Sequence, residues 1–368
     1  MREIVVILTA FLALACTKNP IDQPEAQAAG LALDRQVMLT RIADSLVIPA
    51  YEQAIPVLKQ LQGSAAAFAY QPSLSQLQDL RSQFVTAYTA WQAIELLDFG
   101  PANERVLKQY CNIYPASVSG INENIAAENP NLNLPSSYTR QGFPAIDYLI
   151  YGTASTDTEV LQWFTDIQQG EKRRLYLSRI AELLVERTEE VLSLWRNSYR
   201  SNFIGSTGLE NGSSTNVMVN ALIMHYERFI RSGKIGIPSG VMQNGVLSPE
   251  KVEGYYSKVY SKQLMLAAHS AFRRFIAGSR PGTEEGGFGI STYLASLNAE
   301  LSADLLQQFT ACETKISLLE DDFSAQLTRG TEPFLAAYLE MQTAIKLMKV
   351  DMTSAMGTSI TYADNDGD

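Results

Sequence analysis

Histidine is nearly missing from this chain. Only His225 and His269 occur among 368 residues. Neither belongs to a His-Glu-x-x-His pattern, and no Cys-x-x-Cys occurs. That argues against a His-rich zinc or haem site built by this chain alone. There is no Gly-rich phosphate loop and no Gly-x-Ser-x-Gly elbow, so nucleotide binding and serine hydrolysis lack their usual sequence basis. Charge is scarce too: charged residues make up 18% and the formal net charge is -10. An acidic balance argues against nucleic acid as a partner. Beyond the N-terminus no apolar run is long enough to cross a bilayer, which takes about 20 residues. Three cysteines are present. Cys111 and Cys312 fall in the body, where spacing alone leaves open a disulfide or two buried thiols.

The N-terminus has a different character. Met1-Arg2-Glu3 precedes the apolar run Ile4 to Ala15, and then comes Cys16. A short polar start, a run of about a dozen apolar residues and a small residue before the cut make a signal peptide. The stretch Leu12-Ala13-Leu14-Ala15-Cys16 resembles a bacterial lipobox, in which the Cys thiol is acylated and becomes the new N-terminus. The expectation is a lipoprotein of the cell envelope, on the outer membrane, facing either the periplasm or the exterior. Its membrane partner would be reached through lipid on Cys16. Residues 16–30 are polar and read as a tether.

Helical periodicity dominates the rest. Leu77, Leu80, Phe84, Tyr88 and Trp91 keep the three-and-four spacing of one helix face over Leu74 to Leu97. Ile180, Leu184, Val191 and Trp195 repeat it over Arg173 to Tyr199. Ser248-Pro249-Glu250 reads as a cap with Pro in the first turn of a helix reaching about Ile276 and stopping at Gly278. Thr331 to Met356 is another helix, ended by Gly357. No stretch alternates with period two. The predicted fold is all-α, as two packed helical bundles over residues 31–235 and 248–368, with the boundary in the Gly- and Pro-rich stretch 235–248.

Several polar residues fall on apolar helix faces. Glu95 continues the stripe of Trp91. Asn220 and Glu227 are seven apart on the predicted helix Asn216 to Ser232 and share a face. Glu253, Ser257 and Tyr260 line up with Leu264. His269, among alanines, reads as a hydrogen-bonded core residue. The most unusual stretch is Gly142-Phe143-Pro144-Ala145-Ile146-Asp147-Tyr148-Leu149-Ile150-Tyr151-Gly152. Pro144 suits the first turn of a short helix and Gly152 its end. Asp147 is then walled by apolar side chains and must find backbone amides or a cation, Arg140 or Lys234, or its pKa will rise. The predicted pocket between helices is lined by Glu95, Arg140, Gly142, Asp147, Asn220, Glu227, Lys234, Glu253 and Ser257. The terminal Asp364 to Asp368 starts like a calcium loop but stops after five residues, and reads as a solvated acidic tail.

The order of Val47-Ile48-Pro49-Ala50-Tyr51, Trp91-Gln92-Ala93-Ile94-Glu95, Phe99-Gly100-Pro101, Gly142 to Gly152, Lys234 to Gly240 and Leu347 to Gly357 resembles the imelysin family of exported bacterial proteins. The resemblance covers nearly all the mature chain. It implies two helical bundles, a link to iron acquisition, and a Gly-x-His-x-x-Glu signature with a metal role for His and Glu. Here Gly142 keeps the Gly, Pro144 replaces the His and Asp147 replaces the Glu. No catalytic residue and no metal ligand is therefore expected. No cofactor is predicted, with iron or zinc as the open alternative. The expectation is a non-catalytic binding protein linked to iron or haem uptake, holding a small ligand or an outer-membrane protein. The alternatives are an imelysin-type metallopeptidase and a helical interaction scaffold.

Overall fold

The computed structural model describes residue 30 and residues 34–127, 130–283 and 286–363. The leader, Cys16, most of the tether and the acidic tail at 364–368 lie outside the described residues. Two long helices open the body: α1, Ile48–Tyr70, and α2, Leu74–Glu95. Ser73 caps α2, accepting a hydrogen bond from the Gln76 amide at 3.2 Å. The predicted stripe of α2 is buried at Leu77, Leu80, Phe84, Tyr88 and Trp91. The short helix α3, Gly142–Asp147, follows a loop-rich stretch, and α4, Gly170–Leu194, returns along α1. This set forms the first bundle.

The second bundle consists of α5, Ser214–Met224, α6, Ser261–Ala277, α7, Ala299–Ser317, and α8, Glu332–Lys346. The α5 helix runs on as a wider π-type coil over His225–Gly236. That coil packs on α6 and α8. Met218, Val219, Leu222 and Ile230 of the segment 214–236 are buried. The two bundles meet where α6 lies on α2. One hydrophobic cluster runs without a break from Met38 to Met356. No strand occurs among the described residues, and none of their helices is long and apolar enough to cross a membrane. The fold is all-α, two packed bundles.

The helix expected from Ser248 to Ile276 is broken. Pro249–Lys251 makes one tight turn, and α6 starts only at Ser261. Between them Gly254 takes φ 71° and Lys258 φ 57°. Left-handed backbone cannot continue a right-handed helix. The C-terminal ends are as expected: Gly278 and Gly357 close their helices at φ 75° and 65°.

Candidate functional site at the seam between the bundles

Tyr88, Gln92 and Glu95 share one face of α2, by the spacing of four and three. That face meets Asn112 (just past the short helix Leu107–Cys111), Lys234 from the π-type coil, and Glu253 from the turns before α6. Glu253 is the hub. Its carboxylate takes the Lys234 ammonium on one oxygen, and on the other Gln92 Nε2 at 3.1 Å and Asn112 Nδ2 at 2.7 Å. Lys234 Nζ also reaches Gln92 Oε1 at 2.9 Å. Asn112 Nδ2 lies 2.7 Å from Glu95 Oε1, and Tyr88 OH donates to Asn112 Oδ1 at 2.7 Å. Lys234 and Glu253 are 2% and 3% exposed, so this ion pair sits out of water. Removing such a pair from solvent is favourable only if every lone pair finds a donor, which the two amides supply.

Asp147 closes the same seam from α3. Its two carboxylate oxygens accept the backbone amides of Tyr256 and Ser257, each at 3.0 Å. Burial pushes this carboxyl up to about 7, and the hydrogen bonds from residues 256 and 257 only partly oppose it. Glu95 is raised as well, by burial first, with Lys234 opposing and Glu253 adding to it. Gly142 opens α3 at φ 76°, and a Cβ there would lie 2.3 Å from the Cys111 carbonyl oxygen. Only glycine lets this turn approach so closely.

A second buried pair stands beside the first: Lys108 Nζ lies 2.6 Å from Asp98 Oδ2 and 3.3 Å from the Phe229 ring centre. His225 stacks on Phe229, and neither of its ring nitrogens has a hydrogen-bond partner among the described residues. Burial, then the nearby Lys108 and Lys234 ammonium groups, hold it neutral.

The predicted lining residues divide into three places. Glu95, Asp147, Lys234, Glu253 and the Ser257 amide come together at the seam, with Gly142 shaping its edge. Asn220 and Glu227 face the C-terminal segment instead. Asn220 donates to Ser359 O at 2.8 Å and accepts from the Thr361 amide at 2.8 Å. Glu227 accepts from Lys349 Nζ at 3.0 Å and Tyr362 OH at 2.9 Å. Arg140 pairs with Glu123 at 3.0 Å and Asn124 at 3.3 Å, so the donors to Asp147 are backbone amides and not this cation. Gln92, Asn112, Lys108 and His225 are seam residues that the sequence reading passed over. Gln92 had a signal, since it lies four after Tyr88 on the buried stripe. Asn112, in a non-helical stretch, had none.

The donor set does not suit a metal. Pro144 is buried and offers no ligand atom, and both Asp147 oxygens already hold backbone amides. Among the described residues no group of three or more His, Cys, Asp or Glu is placed to hold an ion. His269 is structural: Nδ1 meets Tyr226 OH at 3.0 Å, Nε2 meets Phe309 O at 2.8 Å, and burial lowers it to about 4. Cys111 and Cys312 are free and buried, each thiol raised by that burial to about 12. A thiol so raised is a poor nucleophile.

Comparison with known proteins gives a family and a fold. The imelysin family model matches residues 47–347. An imelysin-like protein from Psychrobacter arcticum superposes with a TM-score of 0.72 at 20% identity, covering 90% of this chain and 98% of its own. A protein named as an iron-regulated protein A precursor, from Parabacteroides distasonis, gives 0.74 at 16% identity, covering 88% and 95%. No curated protein matches.

Proposed function

Because the chain belongs to the imelysin family, we propose that it is a non-catalytic binding protein of the cell envelope, an outer-membrane lipoprotein serving iron or haem uptake. The observation that carries the non-catalytic reading is Pro144, buried where the family's metal-binding His would stand. A metallopeptidase needs a metal-activated water with a general base beside it. Neither requirement is met by a proline and a carboxylate whose oxygens are both engaged. The link to iron is supported by the name of the Parabacteroides distasonis relative. The lipid anchor is supported by the run ending Ala15-Cys16.

The purified protein should hold well under one equivalent of zinc or iron, and a chelator should leave its melting temperature unchanged. A tight metal would stabilise by RT ln(1 + [L]/Kd), which a melting curve registers. Stoichiometric, chelator-sensitive metal overturns this reading in favour of the peptidase. Cys16→Ser should move the protein from the membrane to the soluble exported fraction. A variant that stays membrane-bound removes the anchor from the proposal. Loss of the gene should slow growth on scarce iron or haem, and unchanged growth there overturns the uptake role.

A further inference from the structure

Two Asn-Gly pairs occur in the sequence, Asn211-Gly212 and Asn244-Gly245, and both lie exposed in turns. The second pair is held from within its turn. The Gly245 amide donates to Gly240 O at 2.9 Å, and the Val246 amide to Gln243 O at 2.9 Å. Asn244 takes φ 52° and Gly245 φ 83°, the consecutive left-handed residues of a type I′ turn. The first pair is held only at its ends, where the Ser213 amide donates to Glu210 O at 2.8 Å. Among the described residues no hydrogen bond holds the Gly212 amide or the Asn211 side chain. A Cβ built on Gly212 meets nothing within 4 Å, so the space around this residue is open. The loop carrying Asn211 touches both ends of the body. Thr207 O accepts Arg35 Nε at 2.7 Å, Leu209 lies against Gly357, and the Ser213 hydroxyl caps α5.

We propose that Asn211 is a site of spontaneous deamidation in the folded protein, and that its fold protects Asn244 from the same reaction. The Gly212 amide nitrogen attacks the side-chain carbonyl carbon of Asn211. A new N–C bond forms, the bond to the side-chain nitrogen breaks, and that nitrogen leaves as ammonia, taking the Gly212 amide proton. Water then opens the cyclic succinimide at either carbonyl, which leaves aspartate or isoaspartate. Water is consumed and ammonia released, and no oxidant, metal or enzyme enters the balance. Both pairs share a following glycine, whose missing side chain leaves the attacking nitrogen unhindered. The amide hydrogen bonds separate them. The Gly212 amide is free to lose its proton, whereas the Gly245 amide must first give up its bond to Gly240 O. The new carboxylate falls two residues before the Ser213 cap, at the positive end of α5, where negative charge is favoured. Isoaspartate also adds a backbone carbon to the loop that holds Arg35. The site is separate from the seam and does not depend on the iron or haem reading.

Incubation of the full chain in warm, mildly alkaline buffer, followed by tryptic digestion and mass spectrometry, tests the proposal. The two sites fall in different peptides, 201–228 and 235–251. Asn211 should convert to a mixture of aspartate and isoaspartate at least about fivefold faster than Asn244, the factor that one backbone hydrogen bond accounts for. In concentrated guanidinium chloride the two rates should come together, because both amides are then free. Gly212→Ala should slow the reaction at Asn211 by crowding the nitrogen, and its methyl enters open space, so the fold should stay intact. Asn211→Gln should end the reaction in its peptide. An Asn211 that stays intact in the folded protein, an Asn244 that reacts as fast, or a difference that persists in guanidinium chloride each overturns the proposal.

Discussion

Glu227 and Lys234 stand on the same π-type coil, are 0% and 2% exposed, and meet different partners. Around Lys234 the acids predominate. Glu253 takes the ammonium, Glu95 is reached through Asn112, and Asp147 depends on two backbone amides. Around Glu227 stand two cations, Lys349 at 3.0 Å and Arg231 at 3.8 Å, and the Tyr362 hydroxyl donates to it at 2.9 Å. Glu95 and Asp147 both titrate high, first because burial penalises the charged carboxylate and then because the Glu253 charge adds to it. The seam joins the bundles through a network that includes two raised carboxyls, whereas the clamp on the C-terminal segment ties Glu227 to a lysine and a phenol.

The hardest test of this contrast removes the seam's cation. Lys234→Met leaves Glu253 buried without its partner and should cost about 3–5 kcal/mol in equilibrium urea unfolding. A variant as stable as its parent would mean that the seam is not held by charge. The next effect is pH. Asp147 rises from 3.8 unfolded to about 7 folded, so between those values the native state holds a proton that the unfolded chain has released. The unfolded state then binds fewer protons, and stability falls as pH rises through that window, by about 1.4 kcal/mol per pH unit for one such group. The stabilising contribution is complete below about pH 4 and is lost by pH 7. Melting curves collected across this range should slope downward, and a flat profile would contradict a buried Asp147 carboxyl raised in this way. Asp147→Ala sharpens the comparison: it should cost about 1–3 kcal/mol by stranding two amides, and it should flatten that slope. The smallest effect belongs to the clamp. Asn220→Ala should cost about 1 kcal/mol through its lost bonds to residues 359 and 361, with no change in the pH slope. A steeper pH dependence in this variant would erase the distinction between the two regions.

Much of the scaffold was legible because a buried helix face repeats every three or four residues. The stripe Leu77 to Trp91 and the glycine stops at Gly278 and Gly357 appear in the structure at the predicted positions. Asp147 was legible for a related reason. A carboxylate flanked by Ile146 and Tyr148 has to find donors, and the structure supplies amides. The break at Val252–Tyr260 was hidden. Glu253, Ser257 and Leu264 are spaced as if on one helix, and only long-range bonding to Gln92, Asn112 and Asp147 draws that stretch out of it. The same limit separated Asn220 and Glu227 from the seam. Their partners, Ser359 and Tyr362, are more than a hundred residues away in the chain.

What the sequence by itself determined is therefore local and one-dimensional. It set the helical class, the glycine stops of two helices, the lipobox-like leader, and the replacement of the family's His by Pro144. The tertiary structure alone decided which acids share a cation and which residues clamp the C-terminal segment. Periodicity reports only whether a side chain faces inward. Which partner waits there depends on how distant helices dock, and that choice is made by the packing of the whole core.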